Sequence, residues 1–115
     1  MIPYKNWKPK SPINVKLLDQ VKKTVFSIFP NAEIVLYGSR ARGGCDIFSD
    51  WDFLILTEQP LEQSFVSKLK DRLYDLELDT DSVLSSIIRT KNEWNSDRYK
   101  ILPFRQNLEK EGIVL

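Results

Sequence analysis

Apolar residues return at steps of three and four through Leu18, Val21, Val25, Ile28 and Phe29, while Lys16, Asp19, Lys22 and Lys23 occupy the rest of the wheel. That stripe predicts an amphipathic helix. Ser11-Pro12 reads as its start and Phe29-Pro30-Asn31 as its end. Glu33-Ile34-Val35-Leu36-Tyr37 is short, apolar and β-branched, the pattern of a buried strand. Trp51 to Leu56 is a second such strand, broken at Gln59-Pro60, and Leu61, Phe65, Val66, Leu69 and Leu73 mark a second helix. Tyr74-Asp75-Leu76-Glu77-Leu78-Asp79 alternates with period two and predicts a third strand, turning at Thr80-Asp81 into a fourth from Val83 to Arg89 as a hairpin.

Lys91-Asn92-Glu93-Trp94 predicts a helical turn, and Leu102-Pro103-Phe104 to Lys110 a last helix stopped by Gly112. Ile113-Val114-Leu115 is an apolar tail that docks on something larger. Residues 1–11 read as an extended N-terminal arm with Tyr4 and Trp7 as docking aromatics. The expected architecture is α/β (α+β), a mixed sheet of about four strands flanked by helices. It forms one domain over residues 1–115, without internal repeat or linker.

Composition narrows the chemistry. The chain has 115 residues, 42% apolar and 29% charged, with a formal net charge of +1. That balance gives no global field to draw nucleic acid or a membrane surface. Histidine is absent, which removes Ser-His-Asp hydrolysis, HExxH zinc chemistry and any imidazole proton transfer. Cys45 is the only cysteine, so no internal disulfide forms. A lone thiol and a start without an apolar leader point to the cytoplasm. Carboxylates, Lys, Arg, Tyr and hydroxyls remain, with whatever metal the carboxylates recruit.

The densest chemistry runs from Tyr37 to Leu56. A strand delivers the chain into Gly38-Ser39-Arg40-Ala41-Arg42-Gly43. Glycine admits a ligand close to the backbone, serine adds a hydroxyl donor, and a helix opening over residues 39–43 would aim free N–H groups at an anion. Arg40 and Arg42 add fixed positive charge. Asp50-Trp51-Asp52 follows, and residues two apart in a strand share a face. Two carboxylates there repel one another, and a hard cation such as Mg²⁺ relieves the repulsion.

Gly38-Ser39-Arg40-Ala41-Arg42-Gly43 followed by Ser49-Asp50-Trp51-Asp52-Phe53 resembles the motif of the DNA polymerase beta-like nucleotidyltransferase superfamily, and within it the minimal nucleotidyltransferases paired with HEPN-domain toxins. The motif covers residues 37–56, and the flanking elements fit over about residues 12–90. The resemblance implies that Gly38 and Ser39, with Arg40 and Arg42, bind a triphosphate, ATP foremost. It implies that Asp50 and Asp52 hold two Mg²⁺. A third carboxylate from a neighbouring strand completes the site, for which Asp75 is the choice and Glu77, on the same expected face, the runner-up. The implied reaction is transfer of a nucleoside monophosphate to an acceptor hydroxyl on a HEPN-type partner, the chain acting as an antitoxin. A catalytically degenerate module that neutralises its partner by occlusion is the alternative, and a homodimer is left open. A small-molecule transferase is a third reading, one that normally needs an added helical domain. Trp51, Tyr37, Trp94 and Phe104 read as core, and Cys45 takes no role.

Overall fold

The computed structural model describes residues 1–8, 14–43 and 50–115. The first helix, α1, runs Val15–Ile28. It is capped by Asn14, whose side chain accepts from the Leu17 amide at 3.0 Å; the expected start at Ser11-Pro12 lies outside the described residues. Strand β1 is Ile2–Pro3, followed by a 3-10 turn at Tyr4–Asn6. Strands β2 (Glu33–Tyr37) and β3 (Trp51–Thr57) pair antiparallel. Helix α2, Gln63–Thr80, leads to β4, Leu84–Thr90. Two short helices, α3 (Lys91–Trp94) and α4 (Asp97–Lys100), precede α5 (Pro103–Glu111) and β5 (Ile113–Val114).

The sheet is five-stranded and mixed, ordered β1-β5-β2-β3-β4. The apolar tail therefore docks as expected: β5 pairs antiparallel with β2 and parallel with β1. The arm is likewise tied down, for the Trp7 indole N–H donates to the Ala41 carbonyl at 3.0 Å.

The hairpin expectation is corrected. Tyr74–Asp79 belongs to α2, and β4 lies parallel to β3, reached through that helix as a crossover. Leu69, Leu73 and Leu76 are buried at helical spacing, whereas Tyr74 and Leu78, the other apolar members of the alternation, are 59% and 66% exposed. One buried stripe at steps of four and three outweighs a short period-two run. The helix ends at Asp81, in the left-handed region with φ +53°.

Strand alternation divides the core into two layers. On one face Ile34, Leu36, Trp51, Phe53, Ile55 and Ile88 pack with Leu17, Leu18, Val21 and Val25 of α1 and Leu69, Leu73 and Leu76 of α2. On the other, Val35, Leu54 and Leu56 pack with Trp94 and with Leu108 of α5. This second face carries the candidate site. Among the described residues no helix is long and apolar enough to cross a membrane.

Candidate active site

At the end of β2 the chain makes a single hydrogen-bonded turn. The Gly38 carbonyl accepts from the Ala41 amide at 3.1 Å and the Arg42 amide at 3.2 Å. Residues 39–43 are turn, so among the described residues the amides offered there are those of one turn. Gly38 has φ +77° and Gly43 φ +85°, both in the region that disfavours a Cβ. At Gly38 the demand is also steric: a Cβ there would run into the Asp52 carboxylate, with the Asp52 Cγ 3.3 Å away. The turn and the acid thus share one spot. Ser39 is half-buried and has no hydrogen-bond partner among the described residues.

Asp52 is the register partner of Tyr37 across β2 and β3 and shares the face of Leu54 and Leu56, while Trp51 and Phe53 turn to the α1–α2 layer. Asp50 lies just before β3 and is exposed. Burial, then the charge of Asp50, pushes the Asp52 carboxyl above the ordinary carboxylate value, and Arg42 pulls it back. Burial and the neighbouring Asp52 charge push the Tyr37 hydroxyl up as well. The two aspartates and Arg42 are therefore electrostatically one group.

The two arginines part company. The Arg40 guanidinium lies over the Trp51 ring at 4.4 Å from its centre, against a side chain that points away from Asp52. Arg42 stays at the site and pairs with Glu111 of α5 at 2.9 Å. Between them opens a cleft of about 360 Å³, lined by Tyr37, Gly38, Arg42, Phe104, Asn107, Leu108 and Glu111. The Tyr37 and Phe104 rings meet edge to face, 5.5 Å apart at 85°. Tyr37 and Phe104, expected as core, line this cleft together with Asn107 and Glu111, for which the sequence carries no expectation. The signal was present: Phe104, Asn107, Leu108 and Glu111 recur at steps of three, one and three, one face of a helix.

Neither expected third carboxylate stands beside Asp52. Asp75 is exposed on α2, a helix packed on the sheet face opposite Asp52. Glu77 is also on α2, where its carboxylate accepts from the Leu84 amide at 2.7 Å and ties helix to strand. The residue beside Asp52 on β4 is Ser85, and β4 from Leu84 to Thr90 contains no acid. Among the described residues no group of three acidic, His or Cys side chains is arranged to hold a metal. Ser49 and Cys45 lie outside the described residues.

Comparison with known proteins bears on this arrangement. A crystal structure of a toxin–antitoxin with AMP-PNP matches the fold with a TM-score of 0.59 at 18% sequence identity, over 84% of this chain and 69% of that one. No curated protein matches the chain. The family model described as "Nucleotidyltransferase domain" matches residues 18–114, from α1 through the Gly38-Ser39 turn, both aspartates and β5, and the chain belongs to that family.

Proposed function

We propose that this chain binds a nucleoside triphosphate, ATP foremost, together with Mg²⁺ and transfers its nucleoside monophosphate to a hydroxyl of a partner protein. The partner would be a HEPN-type toxin that the chain silences as its antitoxin. The observation that carries the reading is the contact between Gly38 and Asp52: a backbone stripped for a phosphate and a carboxylate suited to a cation meet at one point. The similar toxin–antitoxin structure with AMP-PNP supports it.

Asp50 and Asp52 would hold the cation. Both are hard oxygen donors, and the upward push of Asp50 on Asp52 is the strain a divalent ion relieves. The ion supplies charge neutralisation along the triphosphate. Gly38 and Ser39 seat the phosphates, and Arg42 exchanges Glu111 for a phosphate oxygen. Tyr37 and Phe104 flank the nucleoside in the adjoining cleft, whose volume falls in the range of small-molecule sites. The acceptor oxygen attacks the α-phosphorus, the bond to the bridging oxygen of the β-phosphate breaks, pyrophosphate leaves, and the acceptor proton passes to solvent. Such chemistry rests on positioning and charge and needs no histidine.

The test is incubation with α-labelled ATP, Mg²⁺ and the product of the neighbouring gene. Label on that product, lost in Asp50→Asn/Asp52→Asn, is the expected result; no transfer from any of the four nucleotides refutes the reading. Ser85 beside Asp52 favours a second one, a module that occludes its partner without chemistry. Full neutralisation by the double variant decides for it.

A further inference from the structure

The two-cation expectation meets a serine. Neighbouring strands in a sheet lie about 4.8 Å apart, so another strand reaches the Asp52 carboxylate most directly from its two register partners, Tyr37 on β2 and the residue opposite it on β4. That residue is Ser85, half-buried and without a hydrogen-bond partner for its hydroxyl among the described residues. Its same-face neighbour along the strand, Ile87, packs into the Trp94 layer. Among the described residues the other acids near the turn and the start of β4 are engaged: Glu111 on Arg42 and Glu77 on the Leu84 amide.

We infer that the site takes one divalent cation, arriving with the triphosphate, and that Ser85 occupies the position from which a third acid would complete a second cation site. The inference rests on the nucleotide-binding reading above. Charge counting leads the same way. Among the described residues Asp50 and Asp52 bring two negative charges, Arg42 and Glu111 cancel in their ion pair, and no described acid stands with the two aspartates to hold a second divalent ion. A neutral serine hydroxyl is a poor substitute, since Mg²⁺ sheds water reluctantly and takes carboxylates and phosphates in preference. The acceptor hydroxyl therefore receives no metal-bound activation from β4.

The experiment is equilibrium dialysis of the whole chain with AMP-PNP and Mn²⁺, the bound ion counted by electron paramagnetic resonance. The expected ratio is one Mn²⁺ per bound nucleotide in the wild type and in Ser85→Ala, rising to two in Ser85→Asp, with the spin–spin broadening of a close pair. Two ions in the wild type overturn the inference while leaving nucleotide binding intact. A ratio unchanged in a folded Ser85→Asp overturns the role given to Ser85. No retained nucleotide or Mn²⁺ at all refutes the underlying reading instead.

Discussion

Gly38→Ala tests whether the turn and the acid form one site. The substitution acts twice. It places a Cβ on a residue with φ +77°, a conformation that costs an L side chain about 1–2 kcal/mol. It also drives that Cβ into the Asp52 carboxylate, the free end of a short side chain, which swings aside more cheaply than backbone would. Stability therefore falls chiefly by the conformational cost, and Tm by roughly 4–8 °C for a domain of this size. Gly112→Ala is the control. Gly112 has φ −64°, which alanine adopts freely, but its Cβ would stand 2.7 Å from both the Leu108 carbonyl and the Val35 side chain. Overpacking of that kind costs about 1–3 kcal/mol, so both variants melt earlier. Mg·ATP at about 100 times its Kd adds about 2.7 kcal/mol to a protein that binds it only when folded. Scanning calorimetry with and without Mg·ATP should show that increment in the wild type and Gly112→Ala, and little of it in Gly38→Ala, where Asp52 has been displaced. A full ligand-induced rise in Gly38→Ala would refute the placement of the nucleotide on this turn.

Three further outcomes follow from the same geometry. Asp52 ionises less readily folded than unfolded, so the unfolded chain gives up that proton first and Asp52 subtracts stability as pH climbs out of the ordinary carboxylate range; Asp52→Asn should raise Tm of the ligand-free chain at pH 7, with the gain fading toward pH 4, and an equal or lower Tm at pH 7 contradicts the burial. Glu111→Gln releases Arg42 from an exposed ion pair worth at most about 1 kcal/mol, so Tm should hardly move while ATP binds several-fold tighter by calorimetric titration; unchanged affinity removes Arg42 from the phosphate site. Trp94 is 2% exposed at the centre of the second layer, and Trp94→Ala should cost about 3–5 kcal/mol in urea unfolding, with a cost under 1 kcal/mol showing that α3 and α5 are not part of the cooperative core.

What the sequence made legible followed from where physical signals were local. Strand β2, the Gly38-Ser39 turn and β3 are short and apolar or backbone-strained, and their placement is read from neighbouring residues alone. Trp51 was correctly assigned to core because alternation alone sends it away from Asp52. The stretch expected to bring the third acid is helix for a physical reason: Tyr74 to Asp79 alternates, yet residues 67–79 contain no β-branched side chain, glycine or proline, and Leu69, Leu73 and Leu76 continue one buried helical stripe. Once that stretch is helix, the strand beside Asp52 is β4, and the residue there in register with Asp52 is Ser85. The α5 side of the cleft is legible as one helix face but not as a neighbour of the turn. Its approach to Tyr37 and Gly38 depends on β5 pairing with β2, a contact between residues far apart in the chain.

On the proposed reading, the balance of charges around Asp52 and Arg42 decides how a nucleotide and a cation would bind. The Asp52 charge is disfavoured first by burial and then by Asp50 and would gain from a cation; Arg42 is held by Glu111 and would need an anion to leave it. Mg²⁺ alone satisfies the first and leaves the second pair closed, while free ATP brings its phosphates up against two carboxylates. Only the magnesium–triphosphate complex supplies both signs at once, and each component then removes a penalty that the other would meet alone. Such coupling is reciprocal by thermodynamic necessity and typically amounts to about 1–3 kcal/mol. Calorimetric titration of ATP at increasing Mg²⁺, and of Mg²⁺ at increasing ATP, corrected for the complex formed in solution, should give the same factor of tens in both directions. The factor should shrink in Glu111→Gln, where Arg42 is already free; full coupling in that variant would mean that the ion pair is a bystander and that the aspartates alone set the linkage.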